Sequence, residues 1–272
     1  MHRLISLGAV SAIALIPYNA HAGAWTLPRG DGYNKFAANY FWANDTFGPG
    51  ADGFEQFEDI TVNYYGEYGL RDNLTLIGQL PVRISSNDSL TGDTDNFGVG
   101  DVDLALRYNL VNSDWVLSTQ FLYKLPFLYS EDAELPLGNG QSDFEGRLQL
   151  GKSLHPFGYF GAEVGYRVRL QEPSDELRYL VEYGFDASKN VYLRAKLDVI
   201  QAVESTQVDF VEGGNPNFPN AFDLGRVEAS IGYNFNNGHA LEVTYTRSVF
   251  GDNILDGDAI QFGYVYALKR GR

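Results

Sequence analysis

From Ile60 the chain alternates between apolar and polar positions. Val62, Tyr64, Tyr68 and Leu70 fall on one face, and Thr61, Asn63, Tyr65 and Glu67 on the other. Val102, Leu104, Leu106, Tyr108 and Leu110 likewise alternate with Asp103, Ala105, Arg107 and Asn109, and Phe160 to Leu170 repeats the pattern. Successive side chains of a strand point to opposite faces, so a period of two predicts strands with one apolar and one polar side. The same period recurs near 33–43, 73–84, 115–125, 143–154, 176–186, 191–200, 224–235, 240–249 and 259–268. The pattern therefore predicts about twelve strands of about ten residues each.

The connections alternate as well. Short polar turns sit near Arg71-Asp72, Asn112-Ser113-Asp114, His155-Pro156, Ser188-Lys189-Asn190 and Asn236 to His239, and longer segments fall at 45–56, 85–97, 126–142, 171–175, 201–223 and 251–258. This predicts an all-β fold: a transmembrane antiparallel up-and-down β-barrel of about 12 strands, with short periplasmic turns, long extracellular loops and both termini periplasmic. A soluble barrel or sandwich alternates too. The apolar face separates the two, because it carries aromatics near strand ends (Trp42, Tyr68, Tyr108, Trp115, Phe144, Tyr183, Phe185, Tyr233, Phe235, Tyr266), as interfacial girdles require. In the final strand Phe262, Tyr264, Tyr266 and Leu268 share one face, resembling a C-terminal signal for the barrel-assembly machinery over residues 260–268. The basic tail Lys269 to Arg272 departs from that pattern.

Residues 1–22 read as a cleaved secretory signal peptide: Arg3 in a positive leader, an apolar run from Leu4 to Ile16, and Ala20-His21-Ala22 as a small-x-small cleavage site. A run of about 13 apolar residues is too short to span the hydrocarbon as an anchor. Residues 23–272 are then one outer-membrane barrel domain, and no later stretch is apolar enough for a transmembrane helix.

Charge sharpens this picture. The chain has 20 Lys+Arg against 35 Asp+Glu, a formal net charge of −15, and no cysteine. Acidity argues against nucleic acid as a partner, and the missing thiols exclude disulfides, a thiol nucleophile and thiolate metal sites. The six long segments carry acids and neither Lys nor Arg, whereas inward positions are close to balance. The negative field therefore belongs to the outer face, where it should repel anions. Carboxylates there are candidates to bridge Ca²⁺ or Mg²⁺ to lipopolysaccharide phosphates, or simply to be solvated.

Several segments carry a family resemblance. Tyr68 to Leu76 (YGLRDNLTL) resembles a "YGLTDxLTL" hairpin, and Gly98 to Leu104 a "GxGD" strand start. Leu125-Pro126 with Pro136 to Asp143 resembles an "LPxG…GxGxxD" loop and strand, and Gly165-Tyr166-Arg167 with Asp175 to Tyr179 fits a central hairpin. Together, over about residues 33–200, these are similar to the outer-membrane transporter family named for the meta-pathway of phenol degradation (the phenol MetA type). The resemblance implies an outer-membrane barrel and a transport role, with no assigned substrate. Gly23 to Gly30 also resembles barrels encoded with exopolysaccharide synthesis genes.

Catalysis finds little support. After signal removal only His155 and His239 remain, both in short turns without a facing Ser, and Asp101 with Asp103 has basic neighbours suited to ion pairing. No catalytic residue, cofactor or protein-bound metal is expected. The lumen is more informative. Laid side by side, Arg83, Asp101/Asp103, Lys124, Asp143/Glu145, Arg167/Arg169 and Glu176/Arg178 alternate in sign from strand to strand. They predict either a structural lattice that satisfies charges in a narrow lumen or a ring that selects permeants. The longest loop offers Phe210 and Phe218 as a candidate constriction, and Phe127, Leu128 and Tyr129 could touch a hydrophobic solute or lipopolysaccharide. About ten residues before strand one are too few for a globular plug, so gating is expected from loops. The expected function is passive uptake of a small neutral or weakly polar, possibly aromatic, solute. The alternatives are exopolysaccharide export or assembly, and a closed structural or adhesive barrel. Expected partners are outer-membrane lipid, lipopolysaccharide, the assembly machinery and the solute.

Overall fold

The computed structural model describes residues 23–48, 54–89, 92–130, 132–171, 173–204, 215–235 and 237–270. The leader 1–22 and Phe210 lie outside the described residues. Thirteen strands follow in order: β1 (Gly32–Phe47), β2 (Phe54–Arg71), β3 (Leu74–Ser89), β4 (Thr94–Val99), β5 (Val102–Asn112), β6 (Trp115–Leu125), β7 (Asp143–Ser153), β8 (Tyr159–Arg169), β9 (Glu176–Asp186), β10 (Val191–Ala202), β11 (Asp223–Asn234), β12 (His239–Asp252) and β13 (Ile254–Leu268). Each pairs antiparallel with its neighbours, and β1 pairs with both β2 and β13, so the sheet closes on itself. Closure leaves no sheet edge, which is what lets strands cross a hydrocarbon layer with their backbone groups satisfied.

The ring holds twelve strands, with β4 as the one addition. β3 pairs with β5 through Leu74 to Gln79 and with β4 through Val82 to Asn87. The two short partners therefore share one side of β3, interrupted at Gly100-Asp101. Segment 85–97, expected as a loop, is mostly strand. The same holds at 251–258, where Asn253, in a left-handed conformation with φ of 56°, turns β12 directly into β13. Antiparallel hairpins project beyond the apolar band because pairing satisfies their backbone whether or not either face is apolar. Asp256 and Asp258 consequently belong to a strand and hold Arg247 at 2.8 and 2.9 Å, so they are not free loop acids.

The predicted faces are observed. Val62, Tyr68, Leu70, Leu104, Leu106 and Tyr108 are exposed on the outside, whereas Thr61, Glu67 and Arg107 are buried inside. An apolar exterior around a polar interior inverts the soluble arrangement and suits a lipid surround. The aromatics expected at strand ends pair on that outer face: Tyr40 stacks on Trp42 with centroids 5.3 Å apart, and Tyr123 on Phe144 at 4.9 Å. Phe262, Tyr264 and Leu268 of the last strand also face outward.

Candidate lumen site

Inside the barrel, charges meet across neighbouring strands. Lys124 on β6 bridges Asp101 (3.2 Å) and Asp143 on β7 (3.0 Å). Arg167 on β8 reaches back to Glu145 (2.9 Å) and Asp143 (3.7 Å), and Arg169 forward to Glu176 on β9 (3.1 Å). Arg178 closes the run on Glu176 (2.6 Å) and Glu145 (3.7 Å). The alternation expected from sequence is thus a continuous chain of ion pairs from Asp101 to Arg178. Its cause is the register: Asp143 sits opposite both Lys124 and Arg169, and Glu145 opposite Arg167.

Two members of the expected ring behave differently. Arg83 binds Asp59 on β2 (3.2 Å) instead of Asp101 or Asp103. Its partner across β4 is Gly98, because the break at Gly100-Asp101 places Asp103 opposite Gln79. Asp103 lines the cavity, and its Oδ1 is buried with no hydrogen-bond partner.

A second network occupies the end with the short turns. Glu242 on β12 receives Lys35 (2.6 Å), Arg194 (3.0 Å) and the Tyr192 hydroxyl (2.8 Å). The Tyr159 hydroxyl donates to Glu182 at 2.6 Å. Gly184 makes room for this: a Cβ there would lie 2.3 Å from the Tyr159 ring. Sequence reasoning named neither tyrosine, and only their inward parity could have marked them as lumen groups.

Below this network runs a feature the sequence did not suggest. Residues 23–31 enter the lumen as a strap, so loops are not the sole segments placed to restrict it. Ala24 and Leu27 are buried. The Ala24 carbonyl accepts from Ser118 Oγ (2.5 Å), the Trp25 carbonyl from Arg107 (3.0 Å), and the Leu27 amide donates to Thr75 Oγ1 (2.8 Å). Trp25 packs edge-on against Tyr159, centroids 6.1 Å apart, and over Gly151, where a Cβ would come within 2.5 Å of its ring. The count of residues before β1 excluded a globular plug, but an extended strap needs no core of its own.

At the opposite end the loop segments hydrogen-bond to one another. Asn215 donates to the Pro136 carbonyl (2.8 Å), Asn139 to the Phe218 carbonyl (3.0 Å), and Asn253 to the Ala221 carbonyl (2.7 Å). The Phe218 ring lies 4.9 Å from the Arg83 guanidinium, which places the candidate constriction residue over the lumen wall. Leu135 and Leu137 are buried, and Tyr129 turns in to donate to Asp101 (2.6 Å). Phe127 and Leu128 remain exposed. His155 and His239 both sit at the short-turn end, away from the ion-pair chain.

Between strap and loops lies a cavity of about 700 Å³, reached by Gly23 at one end and Asn217 at the other. Its wall mixes Arg, Lys and carboxylate side chains with amides and hydroxyls such as Asn39, Asn63, Gln79 and Thr244. Such a wall can hydrogen-bond a polar solute or pass ions.

No family model matches the sequence, and no curated protein does. Solved structures do match the fold. An outer-membrane channel from Pseudomonas putida F1 superposes with a TM-score of 0.70 at 16% identity, covering 91% of this chain and 99% of that one. The NanC porin gives a TM-score of 0.55 at 9% identity over 87% and 100% of the two chains. The translocator domain of the autotransporter NalP from Neisseria meningitidis gives 0.55 at 14% identity over 90% of each. At these identities the likeness is one of architecture. This chain has the closed antiparallel fold of outer-membrane barrels.

Proposed function

We propose that the protein is an outer-membrane channel for passive movement of a small polar solute. The observation that carries this reading is the inversion of polarity: an apolar, aromatic-girdled exterior around a cavity walled by charged and hydrogen-bonding groups. A closed structural barrel has no need of a roomy polar interior, and burying this many charges is costly unless they pair or meet water. Likeness of fold to a Pseudomonas channel supports the same class. The wall offers amides, hydroxyls and ions more than apolar surface, so it favours the polar end of the solute range expected from sequence. In this reading the short turns and termini face the periplasm, and the acidic hairpins face outward with lipopolysaccharide around them. Phe127 and Leu128 suit contact with that layer. The C-terminal face at 260–268 would be read by the assembly machinery.

Swelling of proteoliposomes tests the proposal. Vesicles holding the purified barrel should swell in isosmotic small sugars and amino acids, and swell slowly in oligosaccharides. Vesicles that behave like protein-free ones would refute it, and free passage of long oligosaccharides would favour polysaccharide export.

A further inference from the structure

The lumen is nearly neutral by count, yet its charges are not equally placed. Arg83, Arg147, Arg178 and Arg194 keep 18–22% of their side chains exposed, whereas their partners Asp59, Glu145, Glu163, Glu176, Glu182 and Glu242 keep 0–9%. Two further pairs lean the same way, Lys196 over Glu228 (21% against 18%) and Arg226 over Asp198 (36% against 23%). The order reverses at three pairs near the ends of the lumen: Arg107–Glu67 beside the strap (4% against 8%), and Lys124–Asp101 (5% against 16%) and Arg169–Glu176 (2% against 4%) under the loops. All six of the more exposed bases line the cavity; of their partners Asp59, Glu163, Glu182, Asp198 and Glu228 line it too, while Glu145, Glu176 and Glu242 stand outside its lining.

The cause is side-chain length. From one cylindrical wall, Arg and Lys reach further toward the axis than Asp and Glu, so each radial ion pair becomes a dipole with its cation inward. Guanidinium groups also keep spare donors after pairing. Five N–H bonds cannot all be used by one carboxylate. A solute near the axis therefore meets N–H donors first.

Resting on the channel reading above, we infer that the lumen selects anions, small organic carboxylates in particular, and that Arg147, Arg178, Arg194, Lys196 and Arg226 form the selecting wall. Planar fork donors match a carboxylate in two hydrogen bonds. The facing strands β1 to β3 offer Asn39, Asn63 and Gln79 for the solute's neutral polar groups. The acidic outer hairpins oppose anion entry, but their field fades within about 8 Å at physiological ionic strength. They modulate the approach, and the lumen decides what passes.

The test is the reversal potential of the purified full barrel in a planar bilayer with a tenfold KCl gradient, repeated with potassium acetate in place of KCl. Placing the concentrated side of the gradient, near 1 M salt, on the loop face screens the hairpin acids to about 3 Å. The expected potential lies on the chloride side of zero, and acetate carries current. Lys196→Gln and Arg226→Gln, whose pairs are the least buried among the six bases above, should together lower the chloride-to-potassium permeability ratio at least about two-fold. Glu228→Gln should raise it. A conducting barrel with zero or potassium-side reversal overturns the inference and leaves the channel reading standing. A barrel that never conducts overturns both.

Discussion

Glu145 shows how far the ion-pair chain supports the barrel. Its carboxylate has no exposed surface and faces three cations: Arg147 at 2.6 Å, Arg167 at 2.9 Å and Arg178 at 3.7 Å. Glu145→Gln keeps the shape and removes the charge. Arg147 then falls back on Glu163 (2.6 Å) and Arg178 on Glu176 (2.6 Å), but Arg167 keeps only Asp143 at 3.7 Å. Breaking a buried pair costs about 3–5 kcal/mol, and with two of three cations still held the lower end applies, about 3 kcal/mol. Glu228→Gln is the control, because the Lys196–Glu228 pair is only partly buried (21% and 18% exposed) and should cost less than a fully buried one. Equilibrium urea unfolding of both variants in detergent micelles, followed by tryptophan fluorescence, measures the two costs. If Glu145→Gln costs no more than Glu228→Gln, the chain of pairs is not what holds this wall, and the argument from burial fails.

Two further outcomes follow from the ends of the lumen. Phe218→Ala removes the ring over Arg83, a contact of about 1 kcal/mol, and should raise ionic conductance while leaving the urea midpoint nearly unchanged; equal conductance would place the narrowest point elsewhere. Trp25→Ala should loosen the strap by about 2 kcal/mol, below the scale for a fully buried Trp because the side chain is half-buried, which corresponds to roughly thirty-fold faster hydrogen exchange at the Leu27 amide bonded to Thr75. Unchanged exchange there would show that the backbone bonds alone fix the strap.

Much of this was legible in the chain because a barrel crossing lipid must contrast its two faces at every residue. That contrast marked the strands and their parity, and strand parity with sequential pairing was enough to place Lys124 between Asp101 and Asp143. Legibility failed where the contrast stops. β4, with the sequence Thr-Asp-Asn-Phe-Gly-Val, belongs to an outer hairpin with polar groups on both faces, so period two has nothing to reveal. Missing the break at Gly100-Asp101 set Asp101 and Asp103 beside Arg83 on the following strand, whereas its partner Asp59 lies on the strand before. The strap was invisible for another reason. Trp25 and Leu27 are isolated apolar residues in a non-repeating segment, and their burial is created by a lumen that exists only after the strands close. The inward lean of the cations was within reach of the sequence, since it follows from side-chain length once the wall is known.

The central claim is that this barrel encloses a polar path between strap and loops. Single-channel recording of the purified protein in a planar bilayer tests it most directly. Discrete, reproducible conductance steps that enlarge in Phe218→Ala are the predicted result, and a silent bilayer containing verified, folded barrel in both proteins would contradict the claim.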